Sequence, residues 1–405
     1  MSSTISKKDH WREVYLRQRL KNAHLWLEEL ERTSDPVALA AANYDKLLQA
    51  IEQTLKHEDS FSVGCDLLRE VTPIAFGMAD WGRLLVYLTG ALSKIKRSSN
   101  RSNEAYLHEW IADIESSLFK LSEAEKNFHI ALQLYLEEGE MVRYGRILPR
   151  LARVYASKGQ LSRALGLCND ALRLGETTNE AIVFADALFG LGEIYFRSND
   201  WQVTLDYCER ASSKYKEVDK QSFIFKTKVL AITCKVSLKR YDEARVESDY
   251  LLQVFKNSEN AYDNLYDSIQ LRSVIGFMAF KQKDYVTAEQ HWQAAYRQNT
   301  LVGAPDLAAS IGNNLGKVYT ILGEYEAAEE MLSEALVLFD QLGDVSRWAN
   351  CMDNLVDLYE EKGDWAACKR TLEQAIARLE PGATVAPSHK LLQTMQQRLQ
   401  NLPES

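Results

Sequence analysis

Proline is scarce, with seven in 405 residues, so long stretches can run as helix without losing hydrogen bonds or crowding the preceding turn. Apolar runs long enough to span a bilayer, about 20 residues, are also missing. The two most apolar stretches, 76–92 and 181–196, are interrupted by Asp80, Arg83, Asp186 and Glu193. The first fifteen residues carry charges where a secretion signal has its apolar centre, so a cytoplasmic protein without a membrane partner is expected. Excess positive charge is lacking too. A net charge of −9 excludes a chain-wide footprint for phosphate backbones. The local group Lys94, Lys96, Arg97 and Arg101 has no interleaved aromatic residue; it reads as a solvated loop, and no nucleic-acid partner is expected.

Catalytic and metal signatures are equally absent. The six cysteines, Cys65, Cys168, Cys208, Cys234, Cys351 and Cys368, include no CxxC pair and no histidine at zinc spacing. Cys168 and Cys208 lie forty residues apart and read as small core side chains. None of the seven histidines pairs at the i, i+4 spacing that puts two ligands on one helical face. The chain contains no GxGxxG, P-loop, GxSxG or HExxH run. The expectation is a protein that is not an enzyme and holds no metal or cofactor.

What the chain does have is periodicity. Between 309 and 344, Leu315, Gly316 and Tyr319 share one helical face; after a break at Gly323, Tyr325, Ala328, Leu332 and Ala335 form a second stripe. The unit is two amphipathic helices joined by a tight turn, which cannot bury both faces alone. From 349 it recurs, with Leu355, Tyr359, Gly363, Trp365, Leu372 and Ala375. Earlier copies start near 269, 225, 185, 145 and 105, and a faint one near 65, in steps of 40 except for 44 between 225 and 269. At the small-residue position of the second helix stand Ala124, Ala164, Thr204, Ala244, Ala288, Ala328 and Cys368. Seven residues later come Ala131, Ala171, Ala211, Leu251, Ala295, Ala335 and Ala375.

A Leu-Gly/Ala-x-x-Tyr run followed by Ala-x-x-x-Phe-x-x-Ala resembles the tetratricopeptide repeat family. The longer period is similar to the variant found in kinesin light chains and several bacterial regulators. The resemblance implies an all-α, right-handed α-solenoid of helix–turn–helix repeats, whose first helices line a concave groove that binds another protein or an extended peptide. The first helix of the 225 unit departs from the pattern, with Ala231, Ile232 and Lys235 at the signature positions. Four extra residues fall in or near 257–268, read as a longer connection or an extended helix.

Four regions follow: an N-terminal helical region at 1–64, a degenerate repeat and basic loop at 65–104, about seven repeats at 105–380, and a C-terminal capping helix and tail at 381–405. Within the first, Trp11 to Leu30 reads as one long helix; Asp35-Pro36 starts a second that runs through Leu39, Leu47, Leu48, Ile51 and Leu55. Trp81, Leu84, Leu88 and Ala91 imitate a repeat's second helix. Pro149 is expected to kink a first helix or mark its first turn.

First-helix positions that miss the core stripe give the candidate groove. They are Arg146, Arg150, Arg153, Phe189, Glu193, Phe196, Phe277, Asn313, Asn314, Lys317, Asn350, Asn354 and Asp357. The three arginines would attract an acidic segment, and Asp353, Asp357, Glu360 and Glu361 a basic one. Asn313-Asn314-Leu315 and Asp353-Asn354-Leu355 resemble the Asn-Asn-Leu runs of kinesin-light-chain-type repeats, and that resemblance implies contact with a peptide backbone. A carboxamide both donates and accepts, so it can satisfy a backbone without demanding a particular side chain. The three phenylalanines read either as anchors for apolar side chains or as core between repeats. The function expected is a non-catalytic scaffold or adaptor. A peptide-responsive sensor with the N-terminal helices as effector surface, or an architectural subunit of a larger enzyme, are the alternatives; self-association is left open.

Overall fold

A computed structural model describes residues 7–77, 80–95, 101–257, 265–380 and 386–403. Among them every regular element is helical. The N-terminal part comprises α1 (Lys7–Arg32), α2 (Pro36–Ala42), α3 (Tyr44–Leu55), α4 (Phe61–Gly77) and α5 (Trp81–Ile95). Helix pairs follow: α6 (Arg101–Ser117) with α7 (Leu121–Glu137), α8 (Met141–Ser157) with α9 (Leu161–Thr178), and α10 (Ala181–Arg197) with α11 (Trp201–Glu217). Next come α12 (Gln221–Ser237) with α13 (Tyr241–Lys256), α14 (Leu265–Lys281) with α15 (Tyr285–Val302), α16 (Pro305–Leu322) with α17 (Tyr325–Gln341), and α18 (Val345–Lys362) with α19 (Trp365–Leu379). The last helix, α20 (Ala386–Gln400), packs on α18 and α19.

The corners share one backbone geometry. A left-handed residue, with φ between 51° and 79°, stands at 119, 139, 159, 179, 199, 219 and 239, then at 283, 303, 323, 343 and 363. Half of these are glycine; Phe119, Lys239 and Lys283 take the conformation at a steric cost of about 1–2 kcal/mol. At each corner but one the next amide donates five residues back, as in Lys120 to Glu115 O (2.8 Å), Glu140 to Tyr135 O (2.9 Å) and Asp364 to Tyr359 O (2.9 Å). This closure satisfies carbonyls that the ending helix leaves open. At Gly303 its own amide donates four residues back to Asn299 O at 2.7 Å, and the Asn299 side-chain amide donates to Ala304 O at 2.9 Å. Asp200, Asp284, Asp344 and Asp364 then cap the following helices, each accepting an amide three residues on.

The small residues read from the periodicity lie where the helices cross. Ala124, Ala164, Thr204, Ala244, Ala288, Ala328 and Cys368 are all 0 % exposed, and so are Ala131, Ala171, Ala211, Leu251, Ala295 and Ala375. Closeness is measurable at Gly316, where an added Cβ would lie 2.5 Å from Leu332 Cγ. All six cysteines are buried free thiols, and burial pushes those of Cys65 and Cys351 up to about 12, away from reactivity.

Contacts divide the chain into two compact units. One comprises 1–228 with 254–265, and the other 229–253 with 266–405. In the first unit a continuous apolar cluster runs through α6 to α10, from Ala105 to Ile194. The second unit includes the pairs α14/α15, α16/α17 and α18/α19, and α20, which seats Leu392 and Met395 inward.

Three details bear on the sequence expectations. The helix expected through Leu39 to Leu55 is broken at Asn43 (φ −122°, ψ 19°), which ends α2 and starts α3; its side-chain amide donates to Leu39 O. Asp35 does cap the start, accepting from Ala38 N at 2.8 Å. Pro149 lies in the interior of α8, not its first turn, because the helix begins at Met141. Lys94 and Arg101 belong to α5 and α6, with Lys94 donating to Leu55 O and Arg101 paired with Glu137. Lys96 and Arg97, residues 258–264 of the long connection and the side chain of Trp11 lie outside the described residues; Tyr266 falls in the first turn of α14.

Ala328→Phe is expected to overpack the α16/α17 crossing and lower unfolding free energy by about 1–3 kcal/mol, while Glu326→Phe on the exposed face changes it little. Denaturant melts of both variants check this.

Candidate functional site

Within each unit neighbouring first helices lie side by side, α8 against α6 and α10 in the first and α18 against α16 in the second, in a register set by the repeat length. Because the repeat is forty residues and a helical turn about four, a side chain on one first helix meets positions 37 and 41 away on its neighbour. Arg150 on α8 shows the geometry. It donates to Glu109, 41 residues back at 2.6 Å, and to Asp113, 37 back on the next turn of α6. Glu109 also accepts from Tyr135 Oη at 2.6 Å and has Arg143 3.7 Å away. Burial would raise the Glu109 carboxyl, but Arg150, Tyr135 and Arg143 together hold it below the ordinary carboxylate range. Arg146 donates to Asp186 on α10 at 2.7 Å, and Tyr215 Oη reaches the other oxygen of that carboxylate at 2.7 Å. Arg153 lies 3.9 Å from Glu193.

These pairs correct the electrostatic reading of the arginines. Arg146, Arg150 and Arg153 all have acidic partners within the chain, and the Arg150 side chain is only 19 % exposed. Their charge is used to join α6, α8 and α10. Most of the acidic end is likewise occupied: Arg398 on α20 contacts Asp353 (2.6 Å), Asp357 (2.8 Å) and Glu360 (2.9 Å), while Glu361 is exposed.

In the second unit the same register joins amides. Asn354 Nδ2 donates to Asn313 Oδ1 at 2.9 Å, Asn313 Nδ2 to Asn350 Oδ1 at 3.4 Å, and Lys317 Nζ to Asn354 Oδ1 at 3.1 Å. Arg347 Nη1 donates to Ser310 Oγ at 3.0 Å. Asn354 and Asn313 are buried within this network, whereas Asn350 is exposed and Asn314 half-buried. The residues with open hydrogen-bonding capacity are therefore Asn314 and Asn350. Sequence reasoning singled out Asn314 and Asn354; the 37-residue spacing from Asn313 to Asn350 was the signal that distinguishes them.

The aromatic candidates do not come together. Phe189 is half-buried against the Ala185–Tyr215 cluster, and Phe196 meets Trp201 edge-on at 5.1 Å. Phe277, in the second unit, lies half-buried under Lys281, whose Nζ is 5.0 Å from the ring centre. No three His, Cys, Asp or Glu side chains among the described residues are placed to hold a metal, and no described helix is long and apolar enough to cross a membrane.

Arg150→Met removes the cation that buried Glu109 and Asp113 share, leaving Glu109 only Arg143 at 3.7 Å, an expected loss of about 3–5 kcal/mol near neutral pH. The sign of the pH dependence follows from Glu109. Its depressed value contributes stability above the ordinary carboxylate range, lost as pH falls through the folded value; without Arg150 the buried carboxyls favour protonation. The deficit of the variant should therefore shrink on acidification to about pH 4, as urea unfolding at the two pH values will show.

Residues 267–341 and 307–380 match the tetratricopeptide repeat family. No curated protein matches the sequence. Among solved structures, a Rap protein complexed with competence and sporulation factor superposes with a TM-score of 0.56 at 14% identity, covering 82% of this chain and 98% of that one. A signal transduction ATPase with numerous domains and a tetratricopeptide repeat sensor, from Pyrococcus horikoshii, gives 0.54 at 16% identity over 97% of this chain. This chain spans 56% of the length of that protein. Aspartyl phosphate phosphatase F from Bacillus subtilis gives 0.51 at 11% identity, covering 96% of this chain and 97% of that one. At such identities the likeness is one of fold. The chain has the all-helical, helix-pair fold of the tetratricopeptide repeat proteins.

Proposed function

We propose that the protein is a non-catalytic scaffold that binds an extended peptide segment of a partner across the first helices α16 and α18. The observation that carries this is the amide network of those helices. Asn313, Asn354 and Lys317 satisfy one another, and Asn314 and Asn350 keep hydrogen-bonding groups open beside them. A carboxamide held by its neighbours has already lost rotamer freedom, so contact with a peptide backbone costs less entropy. Amides also suit a segment of mixed sequence, since they recognise the backbone and not a particular charge. Arg146, Arg150 and Arg153 argue the same way, because carboxylates within the chain already compensate their charge and leave less of it to select an acidic ligand.

A second reading, a peptide-responsive sensor, is supported by two similar structures. One is a Rap protein in complex with a competence and sporulation factor, and another contains a tetratricopeptide repeat sensor. The phosphatase activity in the name of the third belongs to that protein alone. In the sensor reading α1 to α5 act as the effector surface and change arrangement when the peptide binds. Small-angle scattering with and without bound peptide separates the two readings, since an adaptor keeps its dimensions.

Binders selected from a library of extended random peptides are expected to lose about five- to tenfold in affinity on Asn350→Ala and on Asn314→Ala, the effect of one hydrogen bond each. Calorimetric titration measures it. Peptides that bind both variants as tightly as the native chain would remove α16 and α18 as the site.

A further inference from the structure

One helix pair contains a polar contact whose third member is missing. In two of the pairs a residue on the first helix meets the residue nineteen positions later on the second: His108 Nδ1 meets Asn127 Oδ1 at 2.7 Å, and Trp292 Nε1 donates to Ser273 O at 3.0 Å. Next to the 273/292 bond stand Arg272 on α14 and His291 on α15, close enough for the guanidinium charge to act on the imidazole. Equivalent positions elsewhere hold Leu148 with Leu167, Leu188 with Tyr207, and Met352 with Thr371. In the first pair the contact is completed by an acid, since Asn127 passes a hydrogen bond on to Glu115 at 2.7 Å. In α14/α15 two basic groups face each other instead.

Neither is satisfied. Arg272 Nε and His291 Nδ1 are both buried and lack a hydrogen-bond partner among the described residues. Arg272 has no ion pair there either, unlike Arg143, Arg146, Arg150 and Arg398. Burial alone pulls the Arg272 guanidinium down from its usual range, with no carboxylate acting against it. Burial, then the charge of Arg272, holds the His291 imidazole below its ordinary value; Asp249 on α13 pulls the other way, and these are the charged groups that act on it. An unneutralised guanidinium beside an imidazole, both with donors turned inward, is the donor set for an oxyanion.

We propose that Arg272 and His291 form an anion-binding site within the α14/α15 pair, which takes an oxyanion: the carboxylate of an acidic side chain or a phosphate. The site lies apart from the amide network of α16 and α18 and stands whether or not that network binds peptide. Occupation supplies the absent counter-charge, and a bound anion draws His291 toward its protonated form, so affinity rises as pH falls.

The test uses the full chain, with sodium phosphate, sodium glutarate and sodium chloride compared at equal ionic strength. Saturating oxyanion is expected to raise Tm by about 2 °C or more over chloride. With glutarate, whose charge changes little in this range, the rise should be larger at about pH 6 than at about pH 8. Arg272→Met removes an unneutralised cation, so the variant should melt no lower than the native chain in chloride and should lose the oxyanion effect. In the native chain the NMR titration midpoint of His291 should move up by about half a pH unit on saturation. A response to glutarate identifies an acidic side chain as a competent source, and a response to phosphate alone identifies phosphate. Equal Tm in all three salts with an unmoved His291 midpoint overturns the proposal, as does an oxyanion effect that survives Arg272→Met and His291→Gln.

Discussion

The architecture depends on the corner. Once in twenty residues the backbone enters the left-handed region and the next amide closes back over five residues, so each helix ends with its carbonyls satisfied and the chain reversed. Equal helix lengths follow from equal corner spacing, and equal lengths let every second helix present its alanines at the same height. In the first row of these positions threonine and cysteine each replace an alanine and stay fully buried, because the requirement there is small volume and not a particular chemistry; in the second row Leu251 stands in for one. The irregular 44-residue step leaves the corners on either side of it in phase, with 239 and 283 both left-handed.

The same register determines where charge can go. Once first helices are forty residues apart and adjacent, the 37 and 41 separations decide which side chains meet. Arg150 bridges two turns of α6 and Arg398 three carboxylates of α18, while Asn313 and Asn354 are linked by amide hydrogen bonds alone. Buried pairs of this kind add little net stability, since the desolvation of both partners offsets their attraction. Their effect is on register: a slip of one residue would leave Glu109 and Asp113 facing apolar side chains. Amides at the corresponding place in α16 and α18 keep the alignment at lower cost and leave donors and acceptors over. A surface meant to grip a peptide backbone needs that surplus.

Composition and period made the fold legible. Seven prolines and small residues at fixed intervals sufficed for paired helices, since burial in such an array is local. The corners were only half legible: glycine at 323 and 363 marked them, but Phe119 and Lys239 occupy the same conformation with side chains that give no such sign. Asn43 gave no sign either: it breaks a helix that the apolar spacing carried through from Leu39 to Leu55.

The sequence by itself determined the repeat, the helical faces and which residues could lie on the first-helix wall, because each follows from spacing along one helix. Only tertiary structure decided which of those residues are already engaged. Arg150 and Asn350 look equally available when each helix is drawn alone; one is buried between two carboxylates and the other exposed beside a satisfied amide. Partnership between helices is set by contacts some forty residues apart, and in those contacts desolvation and hydrogen bonding, not propensity, decide the outcome.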